Sequence, residues 1–218
     1  MNYKYILFDL DGTLTDPKVG ITKSVQYALA KYNIQVESLD DLEKFIGPPL
    51  KESFMEFYSF DEEKAVQAIE YYREYFRDKG IFENEVYEGI PHLLRELKSR
   101  GFIVAVATSK PTVFAEIIVE HFNLKEYFDI VVGSNLDGTR TSKAEVIKHV
   151  IDELKIDKLE EVIMIGDRKH DVIGAQRNNI DSIGVLYGYG DIEEMESVRP
   201  TYIVNSVSEL HKHFEAAS

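Results

Sequence analysis

The chain has 218 residues, no cysteine and a formal net charge of −14 at pH 7. This length allows one packed domain or a domain with a modest insertion. The absence of cysteine excludes disulfides and thiol chemistry, and fits a cytoplasmic protein. The acidic balance argues against nucleic-acid binding, which needs a basic surface. No apolar run approaches the roughly 20 residues that span a bilayer, and no signal-peptide pattern is present, so no membrane partner is expected.

The first predicted element is a buried strand that ends in two acids. The apolar run 5–8 is followed by Asp9, Leu10, Asp11 and Gly12. A short continuous apolar run bounded by glycine is typical of a strand buried on both faces of a parallel sheet. Asp9 and Asp11 would then point the same way, at the sheet edge where open α/β folds bind their ligands.

Two neighbouring carboxylates repel each other and are costly to desolvate unless something compensates their charge. Three compensators are possible here: a hard divalent cation such as Mg²⁺, a nearby lysine, or a proton retained on one carboxyl. Gly12 would let backbone amides approach an anion. The alternative is an ordinary Asp-Gly turn, which is common, but it leaves Asp9 without a role.

From residue 16 to residue 87 the sequence predicts helices and no convincing strand. Apolar residues recur at helical spacing, and the first helix begins near Pro17 and ends near Asn33. A breaker that contains Gly47 and Pro48 separates two later helices. Strands alternate with helices after residue 87. Residues 16–87 are therefore interpreted as an all-helical domain inserted into an α/β domain.

The remaining chain alternates between predicted strands and helices, which indicates an α/β core with a parallel sheet. A helix is predicted over residues 91–99. The predicted strands are residues 102–107, 129–133, 162–165, 182–186 and 202–204. The core domain is therefore expected to comprise residues 1–15 and 88–218, with residues 16–87 as the insertion.

Two of the later elements carry residues suited to bind a phosphoryl group. Thr108 follows a predicted strand, where a hydroxyl before a helix N-terminus could bind a phosphoryl oxygen; threonine is also a common helix N-cap. Ser109 and Lys110 are adjacent candidates. Lys143 heads a predicted helix, which is unfavourable for a lysine. It could serve phosphate or the Asp9 carboxylate as a point charge, or it could equally well be exposed to solvent.

A second pair of acids follows the strand predicted over residues 162–165. Asp167 stands at the strand end as Asp9 does, and Asp171 lies one helical turn further on. If the two strands are neighbours, Asp9, Asp167 and the backbone carbonyl of Asp11 could share one Mg²⁺. Asp171 could hold a metal-bound water or support the ligands. His170 lies near a helix start and is expected to face solvent. It is not expected to bind the metal, because Mg²⁺ prefers oxygen ligands.

These residues resemble the motifs of the haloacid dehalogenase superfamily in its phosphatase branch. The four motifs stand in the expected order: Asp9-Leu10-Asp11-Gly12-Thr13-Leu14, Thr108, Lys143, and Asp167 with Asp171. The resemblance implies a Rossmann-like parallel-sheet core with three α/β/α layers. It also implies that the inserted helical domain is a cap that closes over an active site containing Mg²⁺.

The resemblance further implies a mechanism. Asp9 is expected to attack phosphorus and form an aspartyl-phosphate, while Asp11 acts as acid and then base. The residues expected to act in catalysis are Asp9, Asp11, Thr108 and Lys143. Those expected to bind substrate are Gly12, Thr13, Ser109, Gly47 and Pro48. The metal is expected to be held by Asp9, Asp11, Asp167 and Asp171.

The expected function is a Mg²⁺-dependent phosphatase whose partner is a small phosphorylated metabolite. The Gly47–Leu50 turn resembles that of phosphoglycolate phosphatases, whereas the loop from Asp137 to Lys143 resembles a 5′-nucleotidase branch. The alternatives are a phosphomutase similar to β-phosphoglucomutase, or a non-catalytic phosphate-sensing or interaction protein. A dehalogenase is disfavoured, because alkyl halides need no leaving-group acid such as Asp11. A monomer or a homodimer is compatible with the sequence.

Overall fold

The computed structural model describes residues 3–215, which form eight β-strands and nine α-helices. The strands are β1 (Tyr5–Phe8), β2 (Thr15–Asp16), β3 (Glu85–Val86), β4 (Ile103–Pro111), β5 (Ile130–Ser134), β6 (Val162–Gly166), β7 (Asp181–Val185) and β8 (Tyr202–Val204). The helices are α1 (Lys18–Ala30), α2 (Leu50–Tyr58), α3 (Glu62–Tyr75), α4 (Ile90–Ser99), α5 (Thr112–His121), α6 (Lys143–Glu153), α7 (Lys169–Arg177), α8 (Ile192–Val198) and α9 (Val207–Glu215). None of these described helices is long and apolar enough to cross a membrane.

Six strands form one parallel sheet in the order β5-β4-β1-β6-β7-β8. The side chains of Ile6, Leu7 and Phe8 in the central strand β1 are fully buried. An uninterrupted apolar strand is stable only where helices cover both faces of the sheet, since neither face can then meet water. The predicted Rossmann-like α/β fold is therefore confirmed.

One core cluster sets the position of α6 against the sheet. Leu7, Ala107 and Met164 from three neighbouring strands pack with Ile147 of α6 and Ala175 of α7. Because this apolar contact holds α6 against the sheet, its first residue is brought to the edge where β1 and β4 end.

The chain divides into two compact units, Met1–Asp16 with Val86–Ser218, and Pro17–Glu85. The smaller unit contains α1, α2 and α3 and has its own aromatic core. In that core the ring of Phe45 lies 5.1 Å from that of Phe54, which stacks on Phe60 at 5.9 Å. The interpretation of this unit as a cap over an active site remains a prediction.

Two short elements differ from the sequence expectation. A span without strands was expected over residues 16–87, yet β2 and β3 stand at its two ends and form a two-stranded sheet. Strands of two residues are too short to leave a periodic pattern in the sequence. In addition, β4 continues to Pro111 where a strand ending at Ala107 was predicted, and its register with β5 shifts between these two residues. The polar residues there resemble a loop in sequence, but pairing with β5 keeps them in the sheet.

Candidate active site

Three acids meet at the carboxyl edge of the sheet. Asp9 follows β1 and Asp167 follows β6, and these two strands are hydrogen-bonded neighbours. One carboxylate oxygen from each of Asp9, Asp167 and Asp171 lies within 4.8 Å of the others. All three residues are buried, with Asp9 the most accessible at 4%. The two acid-bearing strand ends therefore form one site.

Lys143 lies among these acids. Its Nζ is 2.7 Å from Asp9 Oδ1 and 2.8 Å from Asp171 Oδ1, and it donates a hydrogen bond to the carbonyl of Ala107 at 3.0 Å. The residue is only 5% exposed, so the alternative of a solvent lysine is wrong. Burial alone would lower the pKa of Lys143, but the charges of Asp171 and Asp9 outweigh it and raise that pKa. Lys143 is thus a fixed positive charge within the site.

Local structure holds Lys143 in this position. A capping box begins α6: Ser142 Oγ accepts a hydrogen bond from the Glu145 amide at 3.3 Å, and Glu145 Oε2 accepts one from the Ser142 amide at 3.1 Å. Gly174 of α7 leaves room for the lysine stem, since a Cβ there would lie 2.9 Å from Lys143 Cγ. The helix start and the neighbouring helix together direct the lysine into the site.

Asp11 is held by a different lysine. Its Oδ2 lies 2.9 Å from Lys110 Nζ, while its Oδ1 is buried without a hydrogen-bond partner among the described residues. Burial raises the pKa of Asp11, and Lys110 offsets only part of this rise. The sequence named Lys110 only as a candidate adjacent to Thr108, and its pairing with Asp11 was not predicted. The predicted use of the Asp11 backbone carbonyl as a metal ligand remains a prediction.

Gly12 and Thr13 form the turn after Asp11 and contact Asp167. Gly12 has a φ of 79°, and a Cβ on it would lie 2.1 Å from Asp167 Oδ2. A side chain is thus excluded both by the backbone conformation and by the approaching carboxylate. Thr13 is fully buried, and its hydroxyl donates a hydrogen bond to Asp167 Oδ1 at 3.4 Å.

Within residues 3–215, the hydrogen-bond donors to Asp167 are uncharged. Besides Thr13, the backbone amide of Tyr189 donates to its Oδ2 at 2.8 Å. Burial, followed by the negative charges of Asp171 and Asp9, raises the pKa of Asp167 well above its usual value. In the absence of a bound cation, ionised Asp167 is therefore the acid with the least compensation.

The loop after β7 surrounds Asp167 and was not assigned to the site from the sequence. A Cβ on Gly188 would lie 2.2 Å from the carbonyl oxygen of Gly12, and one on Gly190 would lie 2.0 Å from that of Asp167. Tyr187 donates a hydrogen bond from its hydroxyl to the carbonyl of Thr13 at 2.9 Å. The available signal was a pair of glycines within five residues of the end of a buried strand, where the chain passes the same edge of the sheet.

A contact from α8 holds the start of α7, between Asp167 and Asp171. Arg168 makes two hydrogen bonds with Glu194, Nε to Oε1 at 3.0 Å and Nη2 to Oε2 at 3.2 Å. The amide of Lys169 also donates to Glu194 Oε1 at 2.7 Å. Glu194 thus fixes the backbone that carries both acids, a role that sequence analysis did not find because α8 follows α7 only after an intervening strand.

Thr108 and Ser109 lie at the irregular end of β4. Thr108 is 1% exposed, and its Oγ1 accepts a hydrogen bond from the Lys110 amide at 3.3 Å. The alternative of a helix N-cap is wrong for Thr108, because Pro111 occupies that position before α5. Ser109 is half-buried, and its carbonyl accepts a hydrogen bond from the Ser134 hydroxyl at 2.8 Å. Their roles toward phosphate remain predictions.

The other predicted residues are placed as follows. Gly47, with a φ of 98°, and Pro48 belong to the smaller unit, where they precede α2; their contact with substrate remains a prediction. His170 was expected to face solvent but is half-buried. Burial, together with the positive charges of Arg168 and Lys169, lowers the pKa of His170, so its imidazole is mostly neutral at pH 7.

Residues 6–185 match the model of a protein family described as haloacid dehalogenase-like hydrolases. The chain belongs to this family, as its sequence motifs predicted.

Individual relatives give further detail. The chain is 49% identical over 216 residues to a 5′-nucleotidase of Pseudomonas aeruginosa, covering 99% of this chain and 97% of that protein. It is 35% identical over 203 residues to the tyrosine-protein kinase PtkA of Mycobacterium tuberculosis, covering 93% and 69%. A crystal structure described as a predicted phosphatase from Clostridium acetobutylicum superposes with a TM-score of 0.96 at 59% identity, covering 99% of this chain and 100% of that chain. The nucleotidase and phosphatase relatives support the predicted enzyme class, a phosphoric monoester hydrolase.

Proposed function

We propose that the protein is a Mg²⁺-dependent phosphomonoesterase that hydrolyses nucleoside 5′-monophosphates through an aspartyl-phosphate on Asp9. The observation that supports this most is the buried Asp9 carboxylate, 2.7 Å from Lys143 and beside two further acids. The substrate class is supported by the 49% identity to the 5′-nucleotidase of Pseudomonas aeruginosa, which extends over almost the whole chain.

The acids of the site fit a divalent cation. Four buried acids at this edge are accompanied by two buried lysines. If all four acids were ionised, two negative charges would lack a buried counter-charge, which is costly. The close oxygens of Asp9, Asp167 and Asp171 are the ligand type that Mg²⁺ prefers. We propose these three residues, with the backbone carbonyl of Asp11, as the groups that hold the ion. When bound, it would neutralise negative charge on the phosphoryl group.

Asp9 is the proposed nucleophile. Its Oδ1 accepts hydrogen bonds from Lys143 and from the amide of Leu10 at 2.8 Å. No hydrogen bond to its Oδ2 is found within residues 3–215, so this oxygen is the one proposed to attack phosphorus. The new O–P bond forms as the bond from phosphorus to the substrate's ester oxygen breaks.

Asp11 is the proposed proton carrier. Its raised pKa favours a protonated carboxyl, which can donate a proton to the departing ester oxygen. The resulting Asp11 carboxylate then accepts a proton from the water that attacks the aspartyl-phosphate, which releases inorganic phosphate and restores Asp9. Lys110 is placed to hold Asp11 in position between these two steps.

The phosphoryl oxygens are proposed to bind near Lys143, Thr108 and the backbone amides after Asp11. Such groups stabilise the charge that develops on a transferring phosphoryl group, and they are most effective in a buried site. Substrate contacts from Ser109, and from Gly47 and Pro48 in the smaller unit, are part of the same proposal.

The test is a comparison of matched substrates. Release of inorganic phosphate is measured from 5′-AMP, 3′-AMP, 2-phosphoglycolate and p-nitrophenyl phosphate, with Mg²⁺ or with EDTA. We expect the highest kcat/KM for 5′-AMP, loss of activity in EDTA and recovery with added Mg²⁺. The pair 5′-AMP and 3′-AMP controls for the base and the charge, because only the position of the phosphate differs.

Other results would contradict distinct parts of the proposal. A preference for 2-phosphoglycolate would overturn the substrate class alone. Interconversion of sugar phosphates without phosphate release would favour a phosphomutase. No phosphate release from any substrate, including p-nitrophenyl phosphate, would favour a non-catalytic phosphate-binding protein.

A further inference from the structure

A second group of metal-type ligands lies on α4 and α9 and is not used by the proposed reaction. His92 and Glu96 stand one turn apart on α4, and His211 lies on α9. One ligand atom from each lies within 4.8 Å of the others. His92 is exposed and the other two are half-buried, so solvent ions can reach the group.

The carboxylate of Glu96 joins the two imidazoles. Its Oε2 lies 2.5 Å from His211 Nε2 and 3.9 Å from His92 Nε2. Its other oxygen, Oε1, lies 3.9 Å from Nη1 of Arg100, which also donates a hydrogen bond to the carbonyl of Phe214 at 2.9 Å. Arg100 therefore lies on the Oε1 side of the Glu96 carboxylate, and Oε2 faces the two histidines.

The second ring nitrogen of His211 has a carboxylate nearby. His211 Nδ1 lies 3.8 Å from Oε1 of Glu215, four residues further along α9. In the structure, His211 Nε2 shares a proton with Glu96 Oε2. A carboxylate near Nδ1 stabilises a proton on that nitrogen instead, so a metal ion can take the place of the proton on Nε2.

We infer that His92, Glu96 and His211 form a binding site for a divalent transition-metal ion, of which Zn²⁺ is the representative. Two imidazole nitrogens and one carboxylate oxygen are a three-ligand set that Zn²⁺ accepts, with water in the fourth position. Mg²⁺ is not expected there, since it prefers oxygen ligands. The ion joins α4 to α9, and so fastens the last described helix to the core unit.

The chain contains a matched control for this site. His149 and Glu153 on α6 have the same four-residue spacing, and their nearest nitrogen and oxygen are also 3.9 Å apart. They form no three-ligand group within the described residues. A comparison of the two His-Glu pairs therefore shows how much the third ligand, His211, contributes to metal binding.

The experiment is calorimetric titration of the whole protein with Zn²⁺ in excess Mg²⁺, so that the acids at the sheet edge are already occupied. Wild type and His149→Ala are expected to bind one Zn²⁺ more tightly than His211→Ala by roughly 10-fold or more. Zn²⁺ is also expected to raise the unfolding temperature of wild type and of His149→Ala, but not of His211→Ala.

A second variant, His92→Ala, separates the loss of a metal ligand from the loss of the hydrogen bond between His211 and Glu96. His211→Ala also removes the hydrogen bond to Glu96, whereas His92→Ala leaves that bond intact and changes an exposed side chain. His92→Ala is expected to lose the tight Zn²⁺ binding as well. Equal Zn²⁺ affinity in wild type and in either of these two variants would overturn the site.

Discussion

The acids that follow β1 and the acids that follow β6 differ in how their charge is compensated. Each acid after β1 has a lysine within ion-pair distance: Asp9 lies 2.7 Å from Lys143, and Asp11 lies 2.9 Å from Lys110. A buried carboxylate with its own cation can take part in chemistry as a single, well-oriented group.

The two acids after β6, Asp167 and Asp171, do not each have a lysine of their own. Asp171 must share Lys143 with Asp9, at 2.8 Å, and Asp167 makes no ion pair within residues 3–215. Under the proposed function, the acids after β1 would carry out the proton and phosphoryl chemistry, and the acids after β6 would need a bound cation. Four predictions test this difference.

The largest effect is expected from Asp9→Asn. A neutral amide is a poor nucleophile, so kcat should fall by roughly 10⁴-fold, as for other residues that act directly on the substrate. Steady-state phosphate release measures the change, and the exposed acid substitution Asp157→Asn serves as the control. Retention of near-normal activity in Asp9→Asn would show that the acids after β1 do not carry the chemistry.

Lys143→Met should be strongly destabilising. It leaves Asp9 and Asp171 buried without their cation, and removing one partner of a buried ion pair costs about 3–5 kcal/mol. Chemical unfolding in EDTA measures this cost. Lys148→Met on the same helix removes an exposed pair with Asp152 and should cost less than about 1 kcal/mol. Similar losses in the two variants would contradict a buried, shared charge.

The metal-free protein should lose stability as the pH rises across the range in which Asp171 ionises. Burial raises the pKa of Asp171 from 3.8 to about 6, although Lys143 opposes the rise. Between these two values the folded state binds more protons than the unfolded state, so the free energy of unfolding decreases with increasing pH.

The measurement is chemical unfolding of wild type and Asp171→Asn in EDTA. Relative to the variant, wild type should lose about 3 kcal/mol between about pH 3 and pH 7, since one pKa unit corresponds to about 1.4 kcal/mol. A constant difference across this range would mean that Asp171 titrates as it does in the unfolded chain.

Asp167→Asn should abolish stabilisation by Mg²⁺. An ion present at about 100 times its Kd stabilises the folded state by about 2.7 kcal/mol, which corresponds to a rise of about 5–10 °C in Tm for a chain of this size. Wild type should show this rise and Asp167→Asn should not. In EDTA at neutral pH the variant should be the more stable of the two, because it lacks a buried acid whose ionised form has no counter-charge. An equal Mg²⁺ shift in both proteins would remove Asp167 from the ion site.

The sequence by itself determined the class of fold and the acids that the sheet brings together. Buried parallel strands are continuous apolar runs, and the residue after such a run lies at the sheet edge whatever the details of packing. Asp9 and Asp167 could therefore be selected from local patterns alone, and their family motifs could be recognised in order along the chain.

Only the tertiary structure decided which charges meet. Distant parts of the chain form these contacts. Lys110 pairs with Asp11, Glu194 binds the start of α7, and Gly188 and Gly190 pack closely against the backbone near Asp167. The histidines of α4 and α9 also come together. Such contacts depend on how helices and loops pack over the sheet. Apolar periodicity shows which face of an element is buried, but not which polar side chains from distant elements meet. A buried charge is compensated by residues that are near in space but distant in sequence, so only the folded structure identifies them.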